Sequence, residues 1–361
     1  MKLAAEINQT NRPFVIAGPC SAETESQILK VCSEIAENKS VKLLRAGIWK
    51  PRTRPDSFEG VGEVGLEWLI EAGKQTKLPT TTEVANAKHV ELALKAGVDV
   101  LWVGARTTVN PFAVQEIADV LKGVDIPVMI KNPVNPDLQL WMGAFERFEK
   151  SGINDLTAIH RGFSVYNHHK YRNVPNWEIP IAFKEYCPEI PIICDPSHIG
   201  GKRELLLEIS QKAMDLNFDG LMIETHPNPD KAWSDAAQQV TPESLSLLIN
   251  NLVLRSQEYS TDVADIINDI REKVGTLDDR IFDLLSERMN LSEQIGTLKR
   301  ENNITILQQE HWKNIINNRL NKSGEYGLTQ QFVRQLMDAI HQESIRHQTT
   351  IMNSDKNGKE S

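Results

Sequence analysis

The chain has 361 residues, with 40 Lys and Arg against 49 Asp and Glu, a formal net charge of −9. This acidic balance, without a basic run, argues against a nucleic-acid or anionic-membrane partner, and 40% hydrophobic with 25% charged residues argues against disorder. Four cysteines make no disulfide framework in a chain this long, MKLAAEINQTN lacks the apolar core of a signal peptide, and no apolar run reaches about 18 residues, so a reduced, cytoplasmic, multi-domain protein is expected.

Eight short β-favouring runs follow in order: FVIAG from Phe14, VKLLRAG from Val41, PTTTEV from Pro79, VLWVGA from Val100, PVMIK from Pro127, LTAIHRG from Leu156, IPIIC from Ile190 and GLMIE from Gly220. Segments with helical periodicity lie between them, among them SQILKVCSEIAEN, VANAKHVELALKAG and KRELLLEISQKAMDL. Near-continuous apolar strands alternating with helices indicate a parallel sheet covered on both faces, and eight such units predict an α/β fold of the (β/α)8 TIM-barrel type. An open doubly wound sheet is the alternative. It wants a glycine-rich phosphate loop after the first strand, and GPCSAE is not one.

Composition changes near Gln257–Thr261: all 17 prolines lie before residue 243, and only five of the 20 glycines come after residue 261. From Asp262, apolar residues recur at helical spacing through Ile266, Ile270, Val274, Leu277, Ile281, Leu284, Leu291, Ile295 and Leu298. They predict one amphipathic helix of about 40 residues, some ~60 Å long at the α-helical rise. Shorter helices are expected near Gln308–Asn321 and Thr329–Gln348. The expected organisation is a barrel over 1–258, a small all-α three-helix domain over 262–350 and a polar tail over 351–361. A helix that long cannot bury its apolar face within so small a domain, so dimerisation through it is expected.

Polar residues follow every strand: Cys20; Arg45 with Lys50 and Arg52; Glu83; Arg106; Lys131; Arg161; Asp195 with His198; and Glu224 with His226. In a barrel these ends converge on one face. Six converging cations call for anions such as phosphates to neutralise them. Cys20, His198, Glu224 and Asp235 mix soft, borderline and hard donors, a set suited to manganese, iron or zinc. Duller readings remain open for each: a buried apolar cysteine, a turn-capping His198, a Glu224 paired with a barrel arginine. The adjacent His168 and His169 read as a solvated loop pair.

GPCSAE, KPRT, GAR at Gly104–Arg106, DPSH at Asp195–His198, and IETHPNP with SDAAQQ together resemble the 3-deoxy-7-phosphoheptulonate (DAHP) synthases, in their short type I-beta class, over roughly residues 12–255. The resemblance implies condensation of phosphoenolpyruvate with erythrose 4-phosphate, the first step of the shikimate pathway. By it, Cys20, His198, Glu224 and Asp235 are the metal ligands, for manganese first, with iron, cobalt or zinc as alternatives. Arg106, Lys131 and Arg161 bind phosphoenolpyruvate with Arg45, Lys50 and Glu83 nearby; Arg52 and Thr53 contact the aldose phosphate; and Lys50 is the proton donor near the aldehyde. The related 3-deoxy-octulosonate 8-phosphate synthases have Ala-Asn after the lysine, where this chain has Pro51-Arg52. Two departures concern loops: Lys131 precedes Asn132-Pro133 in place of Arg-Gly, and KPRT continues with Arg54.

IREKVGTLDDRIFDLLSERMNLSEQIGTLK and QESIRHQ resemble the all-helical (type II) chorismate mutases over about residues 263–349. By that resemblance Arg271, reaching across a dimer, and Arg288 hold the carboxylates of chorismate, and Lys299 bonds its ether oxygen. Ser344 and Gln348 complete the site from the last helix. Many relatives carry an aspartate and then an Arg-Glu pair on the second helix, where this chain has Gln308, His311 and Trp312. The expected protein is therefore a bifunctional enzyme whose second domain forms prephenate and mediates feedback on the barrel. The alternative is a monofunctional synthase with a non-catalytic, dimerising regulatory domain.

Overall fold

A computed structural model describes residues 2–10, 13–50, 58–166, 170–255 and 260–354, the side chain of His311 excepted. The chain divides into two compact units, Met1–Arg255 and Ser256–Ser361.

In the first unit eight parallel strands close into a barrel in sequence order. They are β1 (Phe14–Gly18), β2 (Val41–Arg45), β3 (Thr80–Val84), β4 (Val100–Val103), β5 (Val128–Lys131), β6 (Leu156–His160), β7 (Ile192–Cys194) and β8 (Gly220–Glu224). Pairing of β1 with β8, from Phe14 opposite Gly220 to Gly18 opposite Glu224, closes the ring and excludes the open sheet. Alternate residues divide between two apolar layers. Phe14, Ile16, Leu43, Val100, Trp102, Met129, Ile159, Ile193 and Met222 fill the interior. Val15, Ala17, Leu44, Leu101, Val128 and Leu221 pack outward under the helices. With both faces covered, most strands read as near-continuous apolar runs, while β3, Thr80–Val84, instead buries three threonines ahead of Glu83.

Local chemistry fixes the helix ends. Thr24, Asn86 and Asp137 accept hydrogen bonds from backbone N–H groups in the first turns of Glu25–Ala36, Ala87–Ala96 and Leu138–Lys150. Gly97 ends the second of these with φ 87°, the left-handed conformation that closes a helix without a Cβ clash. An element the periodic reading does not provide is the helix Leu3–Gln9. Leu3 and Ile7 join the interior cluster, and the Asp155 carboxylate accepts from the N–H groups of Leu3 (2.7 Å) and Ala4 (2.9 Å). Seven residues are too few to show a period, and the helix is held by a cap 151 residues away in sequence.

His160 ends β6 on the outer layer, fully buried, with its ring 5.8 Å from Phe163, 5.3 Å from Trp177 and 6.1 Å from Phe218. Burial, with the neighbouring Arg161 cation, pushes its imidazole down to about 3. The unfolded chain therefore binds the extra proton first, and the barrel loses stability as pH falls from about 6.5 toward 3. This group alone is expected to cost about 2 kcal/mol between pH ~6.5 and ~5. His160→Phe keeps the ring contacts and removes the proton site, so its barrel unfolding free energy should depend less on pH over that range by this amount. Identical acid sensitivity in denaturant titrations of variant and wild type would contradict the assignment.

The second unit contains the helices Thr261–Glu301, Gln309–Asn321 and Gln330–Asn353. The last runs past the expected end at Gln348. The long helix packs against the last one at Gly296, where a Cβ would lie 3.1 Å from Gln348 Cα. Its earlier stripe of Ile266, Ile270, Val274, Leu277, Ile281 and Leu284 is exposed within the single chain. Among the described residues no helix is long and apolar enough to cross a membrane.

Candidate active sites

Trp102, an inward residue of β4, organises the C-terminal mouth of the barrel. Its Nε1 donates to Glu83 Oε2 (3.0 Å), while the Arg45 guanidinium and Lys131 Nζ stand 4.9 and 5.8 Å from its ring centre. Arg45 is only 1% exposed. Its Nη2 lies 3.1 Å from Glu224 Oε1, and its Nε and Nη1 have no hydrogen-bond partner among the described residues. Buried cationic donors left unbonded are costly, and an anion at the mouth would satisfy them. Lys131 Nζ pairs with Asp195 Oδ2 at 2.8 Å. Arg161 Nη1 donates to Asn173 Oδ1 at 2.7 Å, and burial, against the pull of Asp195, brings its guanidinium down to about 10. Arg106 is exposed on the short helix Ala105–Thr108, and its charge is among those acting on Arg161.

Arg45, Glu83, Arg106, Lys131 and Arg161 therefore come to one face. The expectation that all these cations depend on outside anions needs correction, because Asp195 and Glu224 supply carboxylates to Lys131 and Arg45. Arg52 and Thr53 lie outside the described residues, as do His168 and His169. Lys50 borders a cavity of about 170 Å³ with Trp49, Glu59, Glu83, Ala85 and His89.

Ligand atoms of Cys20, Glu224 and Asp235 all lie within 4.8 Å of one another. The topology explains this. Cys20 follows β1 and Glu224 ends β8, neighbouring strands with Gly18 opposite Glu224. Asp235 comes from the loop after β8 with φ 47°, a left-handed conformation rare for a residue with a side chain. His198, on the short helix Pro196–Gly200, brings Nε2 to 3.8 Å from Glu224 Oε1 but does not lie within 4.8 Å of all three. Its Nδ1 is 2.8 Å from Asp195 Oδ2, a close approach without an aligned hydrogen bond among the described residues, while its backbone N–H donates to Asp195 Oδ1 at 3.0 Å.

Burial, then Glu224, pushes the Cys20 thiol up to about 12. Lys50 Nζ donates to its sulfur at 3.0 Å. Burial would raise the Asp235 carboxyl, but Arg172 3.0 Å away holds it well below the usual carboxylate range. Glu224 Oε1 is buried and, despite its ion pair with Arg45, receives no aligned hydrogen bond among the described residues. An electron-rich oxygen left in this way, beside a thiol, a second carboxylate and a nearby imidazole, fits a divalent cation of borderline softness.

In the second unit Arg288 Nη1 donates to Ser344 Oγ, and Lys299 Nζ donates to Ile306 O (2.6 Å) and Gln348 Oε1 (3.3 Å). Ser344 and Gln348 share one face of the last helix, one turn apart, and are buried. Burial lowers the Arg288 and Lys299 cations from their ordinary values. Two cations beside a hydroxyl and an amide are a set of groups that can pair with a compact dianion. Arg271 is exposed on the long helix, away from this group within one chain, and Gln308 is exposed at the start of the middle helix. Trp312 instead stacks face to face on His341, ring centres 3.9 Å apart, one turn before Ser344.

Trp102, Arg172, Asn173 and the Gln238–Gln239 pair escaped sequence reading. An indole inside an apolar strand looks like core, and amides in loops look like solvated turn residues. The QQ of SDAAQQ, three residues past Asp235, is the signal for the last of these.

Residues 4–261 match the DAHP synthetase I family and residues 270–349 match chorismate mutase type II. A phospho-2-dehydro-3-deoxyheptonate aldolase of Thermotoga maritima is 31% identical over 238 residues, 66% of this chain and 68% of that protein. A 2-dehydro-3-deoxyphosphooctonate aldolase of Dechloromonas aromatica is 27% identical over 295 residues, 72% of this chain and 98% of that protein. The crystal structure of the Thermotoga maritima DAHP synthase aligns with a TM-score of 0.59 at 30% identity, covering 65% of this chain and 67% of the other.

Proposed function

The chain belongs to the DAHP synthetase I family and carries a chorismate mutase type II domain behind its barrel, and from that premise we propose how its residues divide the work. The barrel, 1–258, condenses phosphoenolpyruvate with erythrose 4-phosphate, and the helical domain, 262–350, rearranges chorismate to prephenate. The observation that carries the first assignment is the joint presence, at one barrel mouth, of the Cys20–Glu224–Asp235 donors and the buried cations Arg45, Lys131 and Arg161.

Arg161 and Lys131, with Arg106, hold the phosphate and carboxylate of phosphoenolpyruvate, and the unpaired Nε and Nη1 of Arg45 face the same anion. Glu83 fixes the Trp102 indole that floors the site. Arg52 and Thr53 take the aldose phosphate, and Arg52 favours the shorter sugar over the one used by octulosonate-forming relatives. Cys20, His198, Glu224 and Asp235 would hold a divalent ion, manganese first, with iron, cobalt or zinc as alternatives. Such an ion supplies Lewis acidity toward the aldehyde oxygen. Lys50, beside Cys20, delivers a proton to that oxygen as carbon 3 of phosphoenolpyruvate bonds to the aldehyde carbon. Water adds at carbon 2 and gives up both protons, one restoring Lys50 and one leaving with the phosphate, as the bond from carbon 2 to the phosphate oxygen breaks to leave the ketone and inorganic phosphate.

In the helical domain Arg288 holds one carboxylate of chorismate and Arg271 of the partner subunit the other. Lys299 meets the ether oxygen where negative charge develops, and Ser344, Gln348 and Gln308 complete the hydrogen bonds. The exposed Ile266–Leu284 stripe supports a homodimer built on the long helix. We assign to this domain feedback restraint of the barrel by chorismate or prephenate.

Metal removal tests the barrel assignment. Phosphate release from the two substrates should fall to background in EDTA and return on adding Mn²⁺; undiminished release in EDTA would overturn the ligand set.

A further inference from the structure

Two adjacent glutamines bond Glu224 directly, Asp235 through Arg172, and Cys20 at its backbone. Gln238 Nε2 donates to Glu224 Oε2 at 2.7 Å, and Gln238 Oε1 accepts from Arg172 Nη1 at 2.6 Å. The same Nη1 donates to Asp235 Oδ1 at 3.0 Å, so Glu224, Gln238, Arg172 and Asp235 form one continuous chain of hydrogen bonds. Gln239 Oε1 accepts from the Cys20 N–H at 3.0 Å, and its Nε2 donates to the carbonyl of Ser234, the residue before Asp235, at 2.8 Å. Ser234 is tied back to Ser21, the residue after Cys20, through their hydroxyls at 2.6 Å.

Gln238 and Gln239 are 1% and 0% exposed. Each amide has a single orientation open to it, because its oxygen meets a donor and its nitrogen an acceptor. Gln238 ends the 3-10 turn Ala236–Gln238, and Gln239 is extended with φ −81° and ψ 145°. That change of backbone sends the neighbouring side chains in different directions. Three residues before Gln238 stands the left-handed Asp235, a conformation that persists only where its surroundings hold it.

We propose that Gln238 and Gln239 are positioning residues that set the spacing of the Cys20, Glu224 and Asp235 donors for a divalent cation. The inference rests on the reading of those three residues as metal ligands. Gln238 aims the Glu224 carboxylate and, through Arg172, the Asp235 carboxylate. Gln239 fixes the Cys20 backbone against the loop that delivers Asp235.

The test uses the full chain stripped of metal, with Mn²⁺ affinity read by competition with a chelating indicator. Gln238→Met and Gln239→Met keep side-chain length and remove the hydrogen bonds. Each is expected to weaken Mn²⁺ binding by about 10- to 100-fold, the usual effect of losing support behind a ligand. Co²⁺ gives a second readout: the thiolate-to-cobalt absorption band should change in Gln239→Met, where Cys20 is released, and persist in Gln238→Met. If a methionine variant has no cooperative melt, Gln→Asn at the same position, one methylene too short to span both partners, is expected to weaken binding similarly. Glu224→Gln separates the two levels. If it too binds Mn²⁺ normally, the reading of the ligand set fails; if it loses Mn²⁺ while the Gln238 and Gln239 variants stay within about twofold of wild type, the clamp is overturned.

Discussion

Glu224→Gln is expected to lower the rate of phosphate release from phosphoenolpyruvate and erythrose 4-phosphate by about three orders of magnitude, in line with the loss of one charged group at the reacting centre. The carboxylate is fully buried, pairs with Arg45 at 3.1 Å, accepts from Gln238 at 2.7 Å and lies beside Cys20 and Asp235. The amide keeps the volume and removes the charge. Two consequences follow together: the divalent ion loses a hard donor, and Arg45 keeps a buried charge without its counter-ion. The second also destabilises the barrel, by about 3–5 kcal/mol where such a partner is lost. A variant that still melts cooperatively at the assay temperature and retains near wild-type condensation would refute the role given to Glu224.

Arg288→Ala is expected to reduce kcat/KM for chorismate by about 10³-fold, roughly 4 kcal/mol of transition-state stabilisation. Arg288 donates to Ser344 from the long helix, three turns from Lys299. Removing it should also abolish any restraint of the condensation by prephenate, because both effects need the same bound dianion. Unchanged chorismate turnover would place catalysis elsewhere. Absence of turnover in the wild-type chain would leave the helical domain as a regulatory module, consistent with Trp312 standing on His341 near the site.

Much of the fold is visible in the sequence because its physics is local. Each of the eight β-favouring runs contains one observed strand, since a strand covered on both faces is mostly apolar, or, as in β3, rich in β-branched threonine. The abrupt end of proline near residue 243 likewise precedes a helix of 41 residues. What was not legible depends on contacts between distant residues. The Leu3–Gln9 helix exists because Asp155 caps it and the barrel interior receives Leu3 and Ile7. Asp195 reads as a strand-end acid, yet it serves both Lys131 and His198, a double role that appears only when β5 and β7 are brought around one mouth. Gln238 and Gln239 carry no charge and no period, so only their partners reveal them.

Two chemistries on one chain are tested most directly by measuring both reactions in the same three proteins: wild type, Glu224→Gln and Arg288→Ala. Phosphate release from phosphoenolpyruvate and erythrose 4-phosphate should vanish in Glu224→Gln and persist in Arg288→Ala, while chorismate disappearance should show the reverse. Loss of both reactions in either folded variant, or survival of either reaction in the variant designed to remove it, would contradict the assignment of one active site to each unit.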